Sequence, residues 1–239
     1  FNCYYLMFIV HGSSIAVMYV IDLTRVRFDC VLLDFWIVIT LRGLVLSTLL
    51  SSHIIFILMS IERLYSALYP EHFEKSSAQR LTVVIASTVV ASACFFVVWN
   101  STNGFQLSIS KLVPIAFIRV QANAEKYDQI HYALCATNIL SLLVFFVDIY
   151  LNFYRKLPKD QSLCVSYQFG ENRRVIQVLV PIEIVDSIFT LSTSLAQLLF
   201  AKYYASEPFD RQIFLEATTF THFHPLILAI IIKWRVGRR

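Results

Sequence analysis

From Val31 to Ile61 the chain carries only two charged residues, Asp34 and Arg42. An apolar run of this length cannot be a soluble core helix. At about 1.5 Å rise per residue it exceeds the roughly 20 residues that a bilayer core requires. It therefore reads as a membrane span. The run closes in Ile61-Glu62-Arg63-Leu64-Tyr65-Ser66-Ala67-Leu68-Tyr69-Pro70, where an acid and an arginine arrive together and the sequence turns polar. That acid–arginine pair belongs at the water interface, and it anchors the reading of everything else.

Only 15% of the 239 residues are charged and 57% are hydrophobic. Soluble domains carry about 25% charged residues. The apolar runs are long and continuous, which speaks against the alternating pattern of a membrane β-barrel. The chain is read as one all-α, polytopic membrane helical bundle over residues 1–239. Six segments are long enough to span: Tyr4–Ile21, Val31–Ile61, Leu81–Trp99, Ile130–Tyr154, Val175–Phe200 and Ile213–Ile232. Irregular backbone facing lipid would leave unsatisfied polar groups, so each span is expected to be helical. The lipid bilayer is the partner this composition implies. The net charge of +4 gives no ground for nucleic acid.

Lysine and arginine set the orientation. One set of connections and the tail carry twelve of them, including Arg63, Lys75, Arg80, Arg155, Arg173, Arg174 and Lys233; the other set carries seven. The richer set is assigned to the cytoplasmic side. Asn100-Ser101-Thr102 is a glycosylation sequon, and it falls on the opposite, outer side, which makes Asn100 a candidate glycan acceptor. The opening from Phe1 to Ile21 has no basic leader and no small-residue cleavage site, so it reads as a span and not as a signal peptide. Six spans with a cytoplasmic tail put Phe1 inside as well. One missing upstream span would bring the total to seven with an outer N-terminus, so an N-terminally truncated seven-span protein is the expectation.

At this point the motifs converge. Ile61 to Lys75, with Glu62-Arg63, Ala67 and Phe73-Glu74-Lys75, resembles the end of the third span in nematode serpentine chemoreceptors. Asp29-Cys30 and Leu41-Arg42 resemble that family's Cys and Leu-Arg positions upstream. Tyr167-Gln168-Phe169-Gly170-Glu171-Asn172 resembles its aromatic-Gln-x-x-Glu-Asn motif before the sixth span. The landmarks run in order over positions 29 to 174, and the nearest classes are epsilon and the related alpha/beta. The resemblance implies a seven-helix G protein-coupled receptor of chemosensory neurons, with a heterotrimeric G protein and a small chemical ligand as partners, no cofactor and no enzymatic chemistry. Two features depart from common receptors. The loop Ser101–Gln129 holds no cysteine to bond the top of the third span, and His224-Pro225 stands where Asn-Pro is usual.

Within that frame Glu62 and Arg63 are the candidate G protein coupling switch, a partly desolvated ion pair of the kind that biases a two-state element. The plain alternative is an arginine snorkelling at a span end. Asp148 lies near the inner end of its span and is a candidate partner for arginine. Arg42, His53, Glu183 and Asp186 are candidates for a ligand pocket or an intrahelical polar network, because ionisable groups inside spans face the bundle and pair. Glu183 and Asp186, three apart, share a helix face. Pro181 and Pro225 mark expected helix kinks. His222 and His224 diverge by about 200° on a helix, and the five cysteines show no paired spacing, so no metal site is expected.

Two rivals stand beside the receptor reading. A six-span transporter would tend to show repeats and broken helices, and a channel would need a pore loop or charged ring; neither signature is present. A membrane enzyme would need a nucleophile motif or a di-metal constellation, and the six scattered histidines supply none.

Overall fold

The structure is a computed structural model that describes residues 2–27, 33–69, 79–106, 112–113, 121–154 and 163–203, together with Ile227 and Ile230. It is a bundle of long helices: α1 (Asn2–Arg27), α2 (Phe35–Leu68), α3 (Gln79–Ser101), α4 (Ala124–Ile149) and α5 (Leu163–Tyr203). A one-turn 3-10 segment, Gln121–Asn123, leads into α4, and a π-helical turn, Tyr150–Tyr154, ends it. Two short strands, β1 (Leu33–Asp34) and β2 (Leu112–Val113), pair antiparallel and tie the start of α2 to the α3–α4 connection.

Helix α2 is the centre of the described bundle and packs against all four other described helices. The sequence sets its end. The residue before a proline is disfavoured in the α region, and Tyr69, which precedes Pro70, has φ −130° and ψ 60°. Its N–H still donates to the Tyr65 carbonyl at 2.8 Å, closing the last turn. Gly43 sits where α2 meets α3; a Cβ there would lie 3.8 Å from Val97.

Exterior and interior are reversed relative to a soluble bundle. Val84, Phe95, Tyr132, Leu143, Phe146, Ile188 and Leu199 are exposed. The buried set includes His53, Asn138, Ser141, Asp148, Asn172, Glu183, Asp186 and Thr190. Water would penalise such an apolar surface. Lipid does not, and in lipid the polar groups belong inside, where they find one another. Four of the described helices are long and apolar enough to cross a bilayer: Phe35–Leu68, Val84–Ser101, Ala124–Tyr154 and Val165–Leu199; the apolar part of α1, Ile9–Ile21, is shorter. This is a multi-pass helical membrane protein.

The helix limits differ from those expected from hydropathy. Helix α2 runs seven residues past Ile61, and α5 begins at Leu163 instead of residue 175. Helical hydrogen bonding does not stop where the bilayer does; α5, with 41 residues, extends about 60 Å and must emerge from a core of roughly 30 Å. The expected sixth span, residues 213–232, lies outside the described residues apart from Ile227 and Ile230, and Pro225 falls there too. Pro181 lies inside α5, which continues through it as one helix.

Candidate functional site

Three polar levels occupy the bundle interior, and all three have a member on α2: Arg42, His53 and Arg63. The first level is a pocket at the Arg42 end. Its walls are Met18 of α1, Arg42, Val45, Leu46 and Leu49 of α2, Tyr127, His131 and Leu134 of α4, and Thr190, Thr193, Ser194 and Gln197 of α5. The space between them, counted with its open mouth, is about 500 Å³. The pocket exists there because α4 and α5 present one polar stripe each at helical spacing while α2 supplies aliphatic side chains. His131 Nδ1 and Ser194 Oγ are 3.5 Å apart across α4 and α5. Beside the pocket, His11 Nδ1 and Thr48 Oγ1 join α1 to α2 at 2.8 Å.

The second level is fully buried. His53 Nδ1 and Asp186 Oδ2 are 3.1 Å apart. The distance is within ion-pair range, and the contact carries charge when the imidazole is protonated. One turn earlier on α5, Glu183 Oε1 accepts a 2.6 Å bond from Ser141 Oγ of α4. The other oxygen of Glu183 and both amide atoms of Asn138 have no hydrogen-bond partner among the described residues. The α4–α5 register, with Ser141 opposite Glu183 and His131 opposite Ser194, sets Asn138 at the height of Asp186. Ser141→Ala removes the donor and leaves a buried acceptor oxygen. It is expected to lower the unfolding free energy by about 1–2 kcal/mol in detergent, with Ser141→Thr restoring most of the loss; equal stability of the alanine variant would show that the 2.6 Å bond contributes nothing.

The third level lies at the other end of the bundle. Arg63 Nη2 is 3.0 Å from Glu62 Oε1, and Nη1 donates to Asn172 Oδ1 at 3.3 Å. Asn172 is fully buried and also exchanges a hydrogen bond with Ser66, at 3.2 Å. The Glu62 side chain is 42% exposed against 19% for Arg63. An ion pair that exposed is worth little, so the buried amide of Asn172 is the stronger constraint on where the guanidinium points. Asp148 is buried and lies within the electrostatic reach of Arg63. Next to it the π turn re-aims the chain. Asn152 Nδ2 donates to the Asp148 carbonyl at 2.9 Å, and the Asn152 carbonyl accepts from Arg173 Nε at 2.6 Å. Such a turn releases a backbone carbonyl from the helical ladder, and here Arg173 takes it.

The residues singled out in the sequence thus fall into separate places. Arg63 and Glu62 sit together and gain Asn172. His53, Asp186 and Glu183 form one cluster, but Arg42 is not part of it; it belongs to the pocket, and none of the three lines that pocket. Asn100, read as a glycan acceptor, is 2% exposed, and its Nδ2 donates to the Phe96 carbonyl at 2.8 Å. That nitrogen is the atom a glycan would join, so this packing has no place for one. Sequence reasoning missed Tyr127, His131, Thr190, Thr193, Asn138, Ser141 and Asn152. The signal was available: Tyr127, His131, Asn138, Ser141, Asp148 and Asn152 recur at spacings of three, four and seven, which marks the inward face of a span. Among the described residues no group of His, Cys, Asp and Glu is arranged to hold a metal ion.

Comparison with protein-family models, with curated proteins and with solved structures returned no match.

Proposed function

We propose that this chain is a chemosensory G protein-coupled receptor of the nematode serpentine kind, set in the plasma membrane of a sensory neuron. A small ligand enters the pocket at the Arg42 end, and a heterotrimeric G protein engages the Arg63 end. The observation that carries the reading is the placement of a lined pocket and a restrained arginine at opposite ends of one central helix. The buried His53–Asp186–Glu183 cluster lies between them, where a rearrangement felt at one end reaches the other. The motif resemblance at Ile61–Lys75 and Tyr167–Asn172 supports the same reading. A ligand acts by binding one conformation better than the other. Here it would favour the arrangement in which Arg63 leaves Asn172.

One observation favours a second reading. Buried carboxylates beside a histidine at mid-height are the groups that proton-coupled transporters use. Side-specific labelling separates the two. A cysteine placed at Gln106 should react with an impermeant maleimide in intact cells, and one at Gln161 should react only after permeabilisation. Labelling of Gln161 from outside would put the Arg63 end on the wrong side for a G protein and end the receptor reading.

A further inference from the structure

We infer that the pocket at the Arg42 end selects small organic acids: molecules with an apolar body and a carboxylate that sits against Arg42. The inference rests on the reading of this pocket as the ligand site, and it names the chemistry that site takes.

The lining divides by character. Val45, Leu46 and Leu49 of α2 with Leu134 of α4 form an aliphatic wall. A ligand must cover that wall with an apolar body, since burial of apolar area is the non-directional part of its affinity. The polar part of the lining is rich in donors. Arg42 is a permanent cation with five N–H groups and no acceptor. A guanidinium with five donors can hold a protein neighbour and a ligand carboxylate together, and the carboxylate is the planar acceptor that matches its fork. No Asp or Glu is among the described lining residues, and Arg42 is the one among them with a permanent charge.

Thr190 and Thr193 supply the second, independent observation. They lie one turn apart on the same face of α5, both are buried, and both hydroxyls lack a hydrogen-bond partner among the described residues. A buried hydroxyl left without a partner is costly, so a ligand that brings acceptor oxygen gains from both. Arg42 and two unsatisfied hydroxyls around one space favour an oxygen-rich anionic group over a neutral alcohol, and they oppose an amine outright. His53, Glu183 and Asp186 lie outside the lining, so none of them contacts a ligand bound there.

The test uses three probes with one body: 4-phenylbutyrate, 4-phenylbutan-1-ol and 4-phenylbutylamine. Each is titrated against the full chain in lipid nanodiscs, with binding read by ligand-observed NMR and by the shift in thermal unfolding. The acid is expected to bind about tenfold tighter than the alcohol or more, with the amine weakest. Arg42→Gln should erase the difference between acid and alcohol. Thr190→Val with Thr193→Val, which keeps side-chain shape and leaves Arg42 in place, should weaken the acid more than the alcohol and serves if the Arg42 variant does not fold. Equal binding of acid and alcohol, tighter binding of the amine, no binding of the acid, or a preference that survives both sets of substitutions would each overturn the inference. No G protein takes part in this measurement. A chain that prefers the acid but never promotes nucleotide exchange keeps the inference and loses the receptor reading; a chain that activates a G protein without preferring acids does the reverse.

Discussion

The variant His53→Leu is expected to unfold about 3 kcal/mol more readily than the parent chain. The imidazole lies 3.1 Å from Asp186, and both side chains are wholly buried. Glu183 lies one turn away on the same helix, also buried. Removing the histidine leaves two carboxylates sharing a dry space, and neither can turn to water. Replacing both members of the contact behaves differently. His53→Leu with Asp186→Leu removes the charge that would be stranded and fills the space with hydrocarbon, so it should recover most of the loss. Denaturant or thermal unfolding in one detergent measures both variants. A midpoint unaltered in the single variant would show that the acids do not need the imidazole.

The second large effect concerns signalling, and it has opposite signs at the two ends of one hydrogen bond. Arg63→Ala should leave surface expression intact and reduce G protein nucleotide exchange by about tenfold or more, since it deletes the group proposed to meet the G protein. Asn172→Ala should instead raise exchange without ligand. It removes the buried acceptor 3.3 Å from the guanidinium, and it removes the Ser66 tie to the same helix. A restraint between α2 and α5 is then gone while the arginine remains. Exchange assays at matched expression decide the matter. Reduced activity in both variants would make the contact merely structural, and unchanged activity in Arg63→Ala would remove the arginine from the mechanism.

Much of the bundle was legible in one dimension. The apolar run before Glu62-Arg63 became the central helix, because charge-free length is a direct statement about bilayer thickness. The pairing of Glu183 with Asp186 on one face followed from helical spacing alone. What lies across helices was not legible in the same way. Arg63 and Asn172 are 109 residues apart, and no local rule brings them together. The resemblance had set both positions in motifs without joining them. Arg42 and His53 face the same interior, yet they serve different levels, since eleven residues of helix separate them by about 16 Å. Asn100 shows the limit of a short motif: the sequon describes three residues, while burial of its amide depends on how α3 ends against α4. There Asn123 Nδ2 donates to the Ser101 carbonyl at 2.6 Å. Helix ends were the least visible feature, because hydropathy reports the lipid boundary and the hydrogen-bond ladder ignores it.

The central position of α2 also assigns mechanical roles. From Phe35 to Leu68 it contains no proline, and it packs against each of the other described helices, so it serves as a fixed post. Compliance is found in its neighbours. Helix α5 lacks one ladder bond at Pro181, immediately beside Glu183, and α4 changes its winding at Tyr150–Tyr154, immediately beyond Asp148. Each soft joint adjoins a buried acid. Deformation should therefore concentrate at two hinges whose acidic neighbours act as latches, with the stator between them standing still while the arms swing.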